Sequence, residues 1–233
     1  MDIIWEGLGQ ALRLIIDRDP ELVAVVLLSL AVSGSATVIS ILIGVPYGTL
    51  LALSRFAGRS LSLGLVNTGM AMPPVVVGLV LSILLWRSGP LGPLNLLYTP
   101  GAMVVAQVII ATPIVTGVSM AAIAQLDPRL QMQMLGLGAS RLQLLWVLFQ
   151  EARLPLLTAV MAGFGGVISE VGSVIMVGGN IKGQTRVLTT AIVTETGRGN
   201  FGLAIALGVI LLLLAFGANL VLTHLQQRGR PAR

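Results

Sequence analysis

The stretch QLDPRLQMQMLGLGASRLQLLWVLFQEARLP, residues 125–155, is a polar-punctuated island between two long apolar runs. Asp127 is placed to cap a helix that opens on Pro128, where a missing N–H costs nothing because the first donors of a helix have no internal partner. Leu130, Met134 and Leu137 repeat at i, i+4 and i+7, so one apolar face forms. Gly138 offers that short helix a flexible end, and Ser140 can cap a second helix running toward Leu154 and Pro155. Two short helices joined at a glycine, lying between membrane spans, predict a docking surface rather than a mere connector.

The flanking runs set the class. The chain has 233 residues, 55% hydrophobic and 10% charged, with a mean hydropathy of +0.96. A soluble domain does not hide that much apolar surface, so the expectation is an all-α membrane protein with about five transmembrane helices. Cysteine is absent, which excludes disulfide scaffolds and thiolate metal sites. The formal charge is +5, but the basic residues are scattered in ones and twos. They read as loop anchors, and no nucleic-acid partner is expected.

Residues 1–21 place Ile4, Leu8, Leu12 and Ile15 at helical spacing beside Trp5, with Asp2, Glu6, Arg13, Asp17 and Arg18 among the polar positions. This predicts an amphipathic helix at the membrane surface. Asp2 and Glu6 stand where a basic n-region would be, so no signal peptide is expected. From Leu22 to Ser54 there is no charged residue, a run of about 50 Å as one helix. A bend at Gly44 and Pro46 is expected there. A second span fits Val66 to Trp86, interrupted by Pro73 and Pro74, and a third runs from Ala102 to about Ile123. The fourth, Leu156 to about Gly178, carries small residues at Ala162, Gly165, Gly166, Ser169, Gly172 and Ser173. Such a face lets helix backbones or subunits approach closely. Glu170 borders it. An acid in mid-span is expensive, and it reads either as a functional position or as a hydrogen-bonded tie between helices. The segment from Gly178 to Asn200 is expected to hold a short helix that does not cross the membrane, and the last span covers Gly202 to about Leu222. The domain reading is an interfacial segment over 1–21, one membrane domain over 22–225 and a basic tail over 226–233.

With the N-terminus outside, eight Arg residues fall on inner segments and six Lys or Arg residues on outer ones. That bias puts the island and the C-terminus in the cytoplasm. No phosphate-binding Gly-x-x-x-x-Gly-Lys-Ser/Thr loop occurs, and the single His, His224, sits at the end of a span. Neither catalysis, a metal site nor a cofactor is expected of this chain.

Asp127-Pro128-Arg129, then Leu137-Gly138-Ala139-Ser140-Arg141, then Leu154-Pro155 resemble the cytoplasmic loop by which permeases of ABC importers engage their ATPase. Ile168-Ser169-Glu170-Val171-Gly172, Val177-Gly178-Gly179-Asn180-Ile181 and Thr185 to Ile192 closely resemble the tungstate branch, which is related to the molybdate and sulfate permeases. The similarity extends from Leu22 to Leu222. It implies the ABC importer permease fold, with a coupling helix between spans three and four and the membrane domain acting as a permease. Implied partners are two ATPase subunits, an extracytoplasmic oxyanion-binding protein, surrounding membrane lipid and a second copy of the chain. It further implies that Leu130, Met134, Leu137, Gly138, Ala139, Ser140 and Arg141 contact the ATPase. Glu170, Gly172, Gly179 and Asn180 fall to the pathway or its gate. One position departs from the family: its usual Glu-Ala-Ala triplet stands here as Met132, Gln133 and Met134, leaving no carboxylate at that point. A molybdate or sulfate importer is the neighbouring reading. An ATP-independent channel or secondary transporter is a different class, although the repeated halves of many such transporters are missing.

Overall fold

Local chemistry sets the helix starts in the computed structural model, which describes residues 2–228. The order is α1 (Asp2–Ile16), α2 (Pro20–Leu53), α3 (Arg59–Met70), α4 (Pro74–Leu85), a short 3-10 turn (Gly92–Leu94) and α5 (Pro100–Ala124). There follow α6 (Pro128–Gly136), α7 (Arg141–Glu151), α8 (Arg153–Ile168), α9 (Gly172–Gly178), α10 (Leu188–Gly197) and α11 (Phe201–Arg228). Asp19 Oδ1 accepts the Leu22 N–H at 2.8 Å to open α2. Thr99 Oγ1 does the same for Ala102 at the start of α5, at 3.3 Å. Both helices begin with proline, whose lack of an N–H is harmless at that position. Residues 229–233, which complete the basic tail, lie outside the described residues.

Among the described residues, three helices are long and apolar enough to cross a membrane: Pro20–Leu53, Pro100–Ala124 and, within α11, Phe201–His224. Counting each of two bent pairs as one span, α3 with α4 at 101° and α7 with α8 at 72°, gives up to five. The bundle is built around α2 and α5. A Cβ added at Gly48 would stand 2.5 Å from the Thr116 carbonyl oxygen, and one at Gly44 would stand 2.9 Å from Val115 Cγ1. These glycines therefore bring the two backbones together. The expected bend at Gly44 and Pro46 does not divide α2, which runs unbroken through Pro46. Two buried hydroxyls on α2 donate within the helix, Ser29 to Val25 O and Thr37 to Ser33 O, each at 2.7 Å, and Ser29 Oγ also accepts the Leu188 N–H at 2.9 Å.

The second and fourth spans are broken. In the second, Pro73 and Pro74 cannot donate to a helical ladder, and the chain turns between α3 and α4. The fourth, expected to run from Leu156 to Gly178, stops at Ile168 and resumes at Gly172 as the seven-residue α9. The two breaks are neighbours. A Cβ at Gly172 would come within 2.6 Å of Val75 Cγ2, and one at Gly78 within 2.7 Å of Ser173 Cα. α4 and α9 thus pack almost backbone to backbone, as small-residue interfaces in membranes allow.

Helix α1 forms as its periodicity requires, and its small residues face α11. Ala11 is buried, and a Cβ at Gly7 would collide with Ile205 at 2.6 Å. Ile4, Trp5, Leu8, Leu12 and Ile15 remain exposed, an apolar face suited to lipid. Helix α10, ten residues or about 15 Å long, is too short to cross. It is nonetheless well buried at Leu188, Thr189, Thr190 and Ala191.

Candidate translocation and coupling sites

The island from residue 125 folds into two capped helices at the end of the bundle where α2 and α5 finish. Asp127 Oδ1 accepts the Arg129 N–H at 2.8 Å. Gly138 sits at φ +80°, the left-handed conformation that closes α6. The Gly138 N–H donates to Leu135 O and the Ala139 N–H to Met134 O, both at 3.0 Å, a double closure of the last turn. Ser140 and Gln143 then cap α7 reciprocally, at 2.8 and 3.3 Å.

The apolar residues of this island divide in a way that spacing alone does not reveal. Leu130 and Met134 turn inward and pack against the cluster of Ile123, Leu144, Leu148 and Ala152. Leu137 is 84% exposed, Leu142 79% and Trp146 64%. The shared face expected of Leu130, Met134 and Leu137 is therefore corrected: Leu130 anchors the island to the bundle, half-buried Met134 lies between that cluster and the outer hollow, and Leu137 presents itself fully outward. Met134, Leu137, Gly138, Ala139, Leu142 and Trp146 are among the residues lining a shallow hollow of about 620 Å³. Leu142 and Trp146 carry no signal in the family-like segments. Their i, i+4 spacing on α7 was available, but which of its faces is covered depends on α5 and α8.

The second site surrounds the broken fourth span. Glu170 Oε1 accepts the Ser173 backbone N–H at 3.0 Å and the Ser173 hydroxyl at 3.3 Å, closing the exposed donors at the start of α9. Among the described residues Glu170 joins no salt bridge. Its own carbonyl accepts Thr189 Oγ1 at 2.9 Å. One turn earlier, Gln107 of α5 donates Nε2 to the Val167 carbonyl at 3.0 Å, a carbonyl that also takes the Glu170 N–H at 3.2 Å where the helix ends. The far end of α9 is equally tied. Gly179, at φ +72°, lies so close to Tyr98 that a Cβ would stand 2.7 Å from Cδ1. Asn180 Nδ2 donates to Thr194 Oγ1 at 2.6 Å, and its Oδ1 accepts Arg186 Nε at 3.3 Å. Glu170 and Gly172 thus meet at the break, whereas Gly179 and Asn180 sit at the other end of α9. Helix α10 holds both ends, through Thr189 and Thr194. Neither threonine stands out in sequence, because a threonine in an apolar run is equally able to bond its own helix.

On α8 the expected small-residue face lies open. A Cβ at Gly165 would meet nothing within 4 Å, and Ser169 is exposed. Close packing falls instead to Gly163, whose added Cβ would stand 2.8 Å from Val115 Cγ2. Among the described residues, no group of three or more His, Cys, Asp or Glu is placed to hold a metal ion.

A bundle of long apolar helices with two broken spans meeting inside it, and a capped two-helix projection at one end, defines a membrane transport subunit of the importer type. The chain belongs to the family described as binding-protein-dependent transport system inner membrane component, which matches residues 44–231. It is 38% identical over 227 residues to the tungstate uptake system permease protein TupB of Peptoclostridium acidaminophilum, covering 97% of this chain and all of that one. It is 40% identical over 219 residues to a probable anion ABC transporter permease protein of Haloferax volcanii, covering 91% and 94% of the two chains. The molybdenum transport permease ModB of Escherichia coli is more distant, at 29% over 213 residues, covering 84% of this chain and 93% of ModB. In fold, the chain matches an inward-facing methionine ABC transporter, MetNI, with a TM-score of 0.73 over 90% of this chain and 96% of that one, at 19% identity.

Proposed function

We propose that this chain is the membrane-spanning subunit of an ATP-driven tungstate importer. The observation that carries the reading is the α6–α7 projection: a rigidly capped unit with its apolar hollow turned away from the bundle, on a chain similar along nearly all its length to a tungstate permease. The exposed Leu137, Leu142 and Trp146 around this hollow suit an apolar surface on a partner protein. The partner is an ATPase subunit, one for each of two copies of this chain, and an oxyanion-binding protein delivers the ion at the opposite face. The open Gly165, Gly166 and Ser169 side of α8 suits the contact between the copies, with the pathway running between them.

In this reading the two broken spans supply the moving part. ATP binding draws the projections together, and the force passes through Leu144 and Leu148 of α7 into α8. The break at Ser169–Val171 is the point where such a displacement can be taken up, because only a few side-chain hydrogen bonds span it. Glu170 serves the gate and not the ion, since a carboxylate repels a dianion. The island and the C-terminal end of α11 face the cytoplasm, α1 lies in the outer interface, and selectivity among oxyanions rests chiefly on the binding protein.

The test is reconstitution of the chain in proteoliposomes with its ATPase and binding protein. Tungstate is expected to stimulate hydrolysis and uptake well beyond molybdate or sulfate. Equal stimulation by sulfate would overturn the substrate assignment, and uptake without ATP would overturn the coupling.

A further inference from the structure

At the end of the bundle opposite the island, α1, the start of α2, α10 and the start of α11 enclose a cavity of about 570 Å³. Its charged lining is balanced: Asp19, Glu21 and Glu195 supply three carboxylates, and Lys182, Arg186 and Arg198 three cations. Each cation is met by the protein itself. Lys182 Nζ is 2.7 Å from Glu21 Oε2, Arg198 Nη1 is 3.0 Å from Glu195 Oε1, and Arg186 Nε donates to Asn180 at 3.3 Å. Glu195 is 8% exposed and carries the polarity into the fold, while the side chains of Lys182, Glu21 and Arg198 stand half or more exposed at the mouth of the cavity.

Beside this cavity lies an apolar groove of about 350 Å³, walled by Val23, Val26 and Leu27 of α2 and Ile210, Leu213 and Leu214 of α11. Leu14 and Leu22 belong to both linings, so the polar cavity and the groove adjoin. Arg18, at the turn between α1 and α2, lines the groove as well, and Asp17 precedes it in the chain. Charges of both signs therefore crowd one end of an apolar trough that runs along two membrane-spanning helices.

We infer that this corner binds one zwitterionic phospholipid, with its phosphate toward Lys182, Arg186 and Arg198, its ammonium toward Glu21 and Glu195, and an acyl chain in the α2–α11 groove. A free oxyanion entering the cavity would meet three carboxylates, and an anionic headgroup would meet the same repulsion. A headgroup carrying both charges exchanges each internal pair for two pairs of its own. The occupant is a lipid because the polar cavity has an apolar continuation on the bilayer-facing side of α2 and α11, where Val23, Leu27 and Leu213 are exposed. The inference rests on membrane placement alone and not on the transported ion, so a failed tungstate assay leaves it standing.

The test uses the full chain in nanodiscs containing equal amounts of phosphatidylethanolamine and phosphatidylglycerol. Lipid retained after transfer to mild detergent is counted by native mass spectrometry. Wild type is expected to keep phosphatidylethanolamine over phosphatidylglycerol by about tenfold. Val23→Trp, a change at an exposed position that fills the groove, should abolish retention of both without lowering Tm. Glu21→Gln removes one carboxylate and should swing the preference toward phosphatidylglycerol. Equal retention of the two lipids by wild type, or a preference that neither variant alters, would overturn the assignment.

Discussion

The side-chain amide of Gln107 donates to the carbonyl oxygen of Val167 at 3.0 Å, tying the middle of α5 to the last turn of α8. Gln107 is only 3% exposed. Leu at this position removes that tie, leaves the carbonyl with the Glu170 N–H at 3.2 Å, and should cost about 1 kcal/mol. A lower Tm for Gln107→Leu in detergent, measured against wild type, checks this; an unchanged Tm would show that the tie contributes nothing.

Glu170→Gln separates charge from geometry. The amide oxygen can still accept the Ser173 N–H, so the α9 cap should survive with a loss on the order of 1 kcal/mol. If the carboxylate serves the gate, tungstate-stimulated hydrolysis should fall while the assembled complex persists. Normal uptake together with normal assembly would remove Glu170 from the mechanism.

Gly138 has open space around it but a φ of +80°. Gly138→Val should therefore cost about 1–2 kcal/mol through backbone conformation and not through a clash. Membrane insertion should remain, and coupled ATP hydrolysis should be lost as the α6–α7 angle changes. Fully coupled hydrolysis by this variant would argue against the projection as the coupling element.

Leu137→Glu leaves the backbone alone and places a charge on the exposed apolar hollow. Thermal stability should stay within about 0.5 kcal/mol of wild type, as for most surface changes. Co-purification of the ATPase should fail. Leu130→Glu offers the contrast, because Leu130 packs into the basal cluster and that variant should lose folded protein first.

Gly48→Leu and Gly34→Leu form a matched pair on one helix. A side chain at Gly48 would drive into the α5 backbone, whereas Gly34 has nothing within 4 Å. Overpacking predicts a loss of about 1–3 kcal/mol or more for the first and near neutrality for the second. Tm values of the two variants, or their yields of monodisperse protein, decide it.

Sequence alone determined the parts that depend on neighbours in the chain. The long apolar runs required membrane helices, Asp127 and Ser140 announced their caps, and Gly138 marked the turn between them. Pro73 and Pro74 signalled an interruption because proline lacks an N–H wherever it stands. Tertiary structure decided what depends on approach from elsewhere. The fourth span breaks at Ser169–Val171, with no proline there to announce it, and Ser173, Gln107 and Thr189 bond groups on either side of the break. Leu130 and Leu137 belong to the same heptad-like face by spacing, yet one packs against the basal cluster and the other is bare, because burial is set by the neighbouring helices and not by periodicity. Gly44 reads with Pro46 as a bend, and instead it and Gly48 admit the backbone of α5. A glycine permits both flexibility and close contact, and only the packed neighbour reveals which of the two the fold uses.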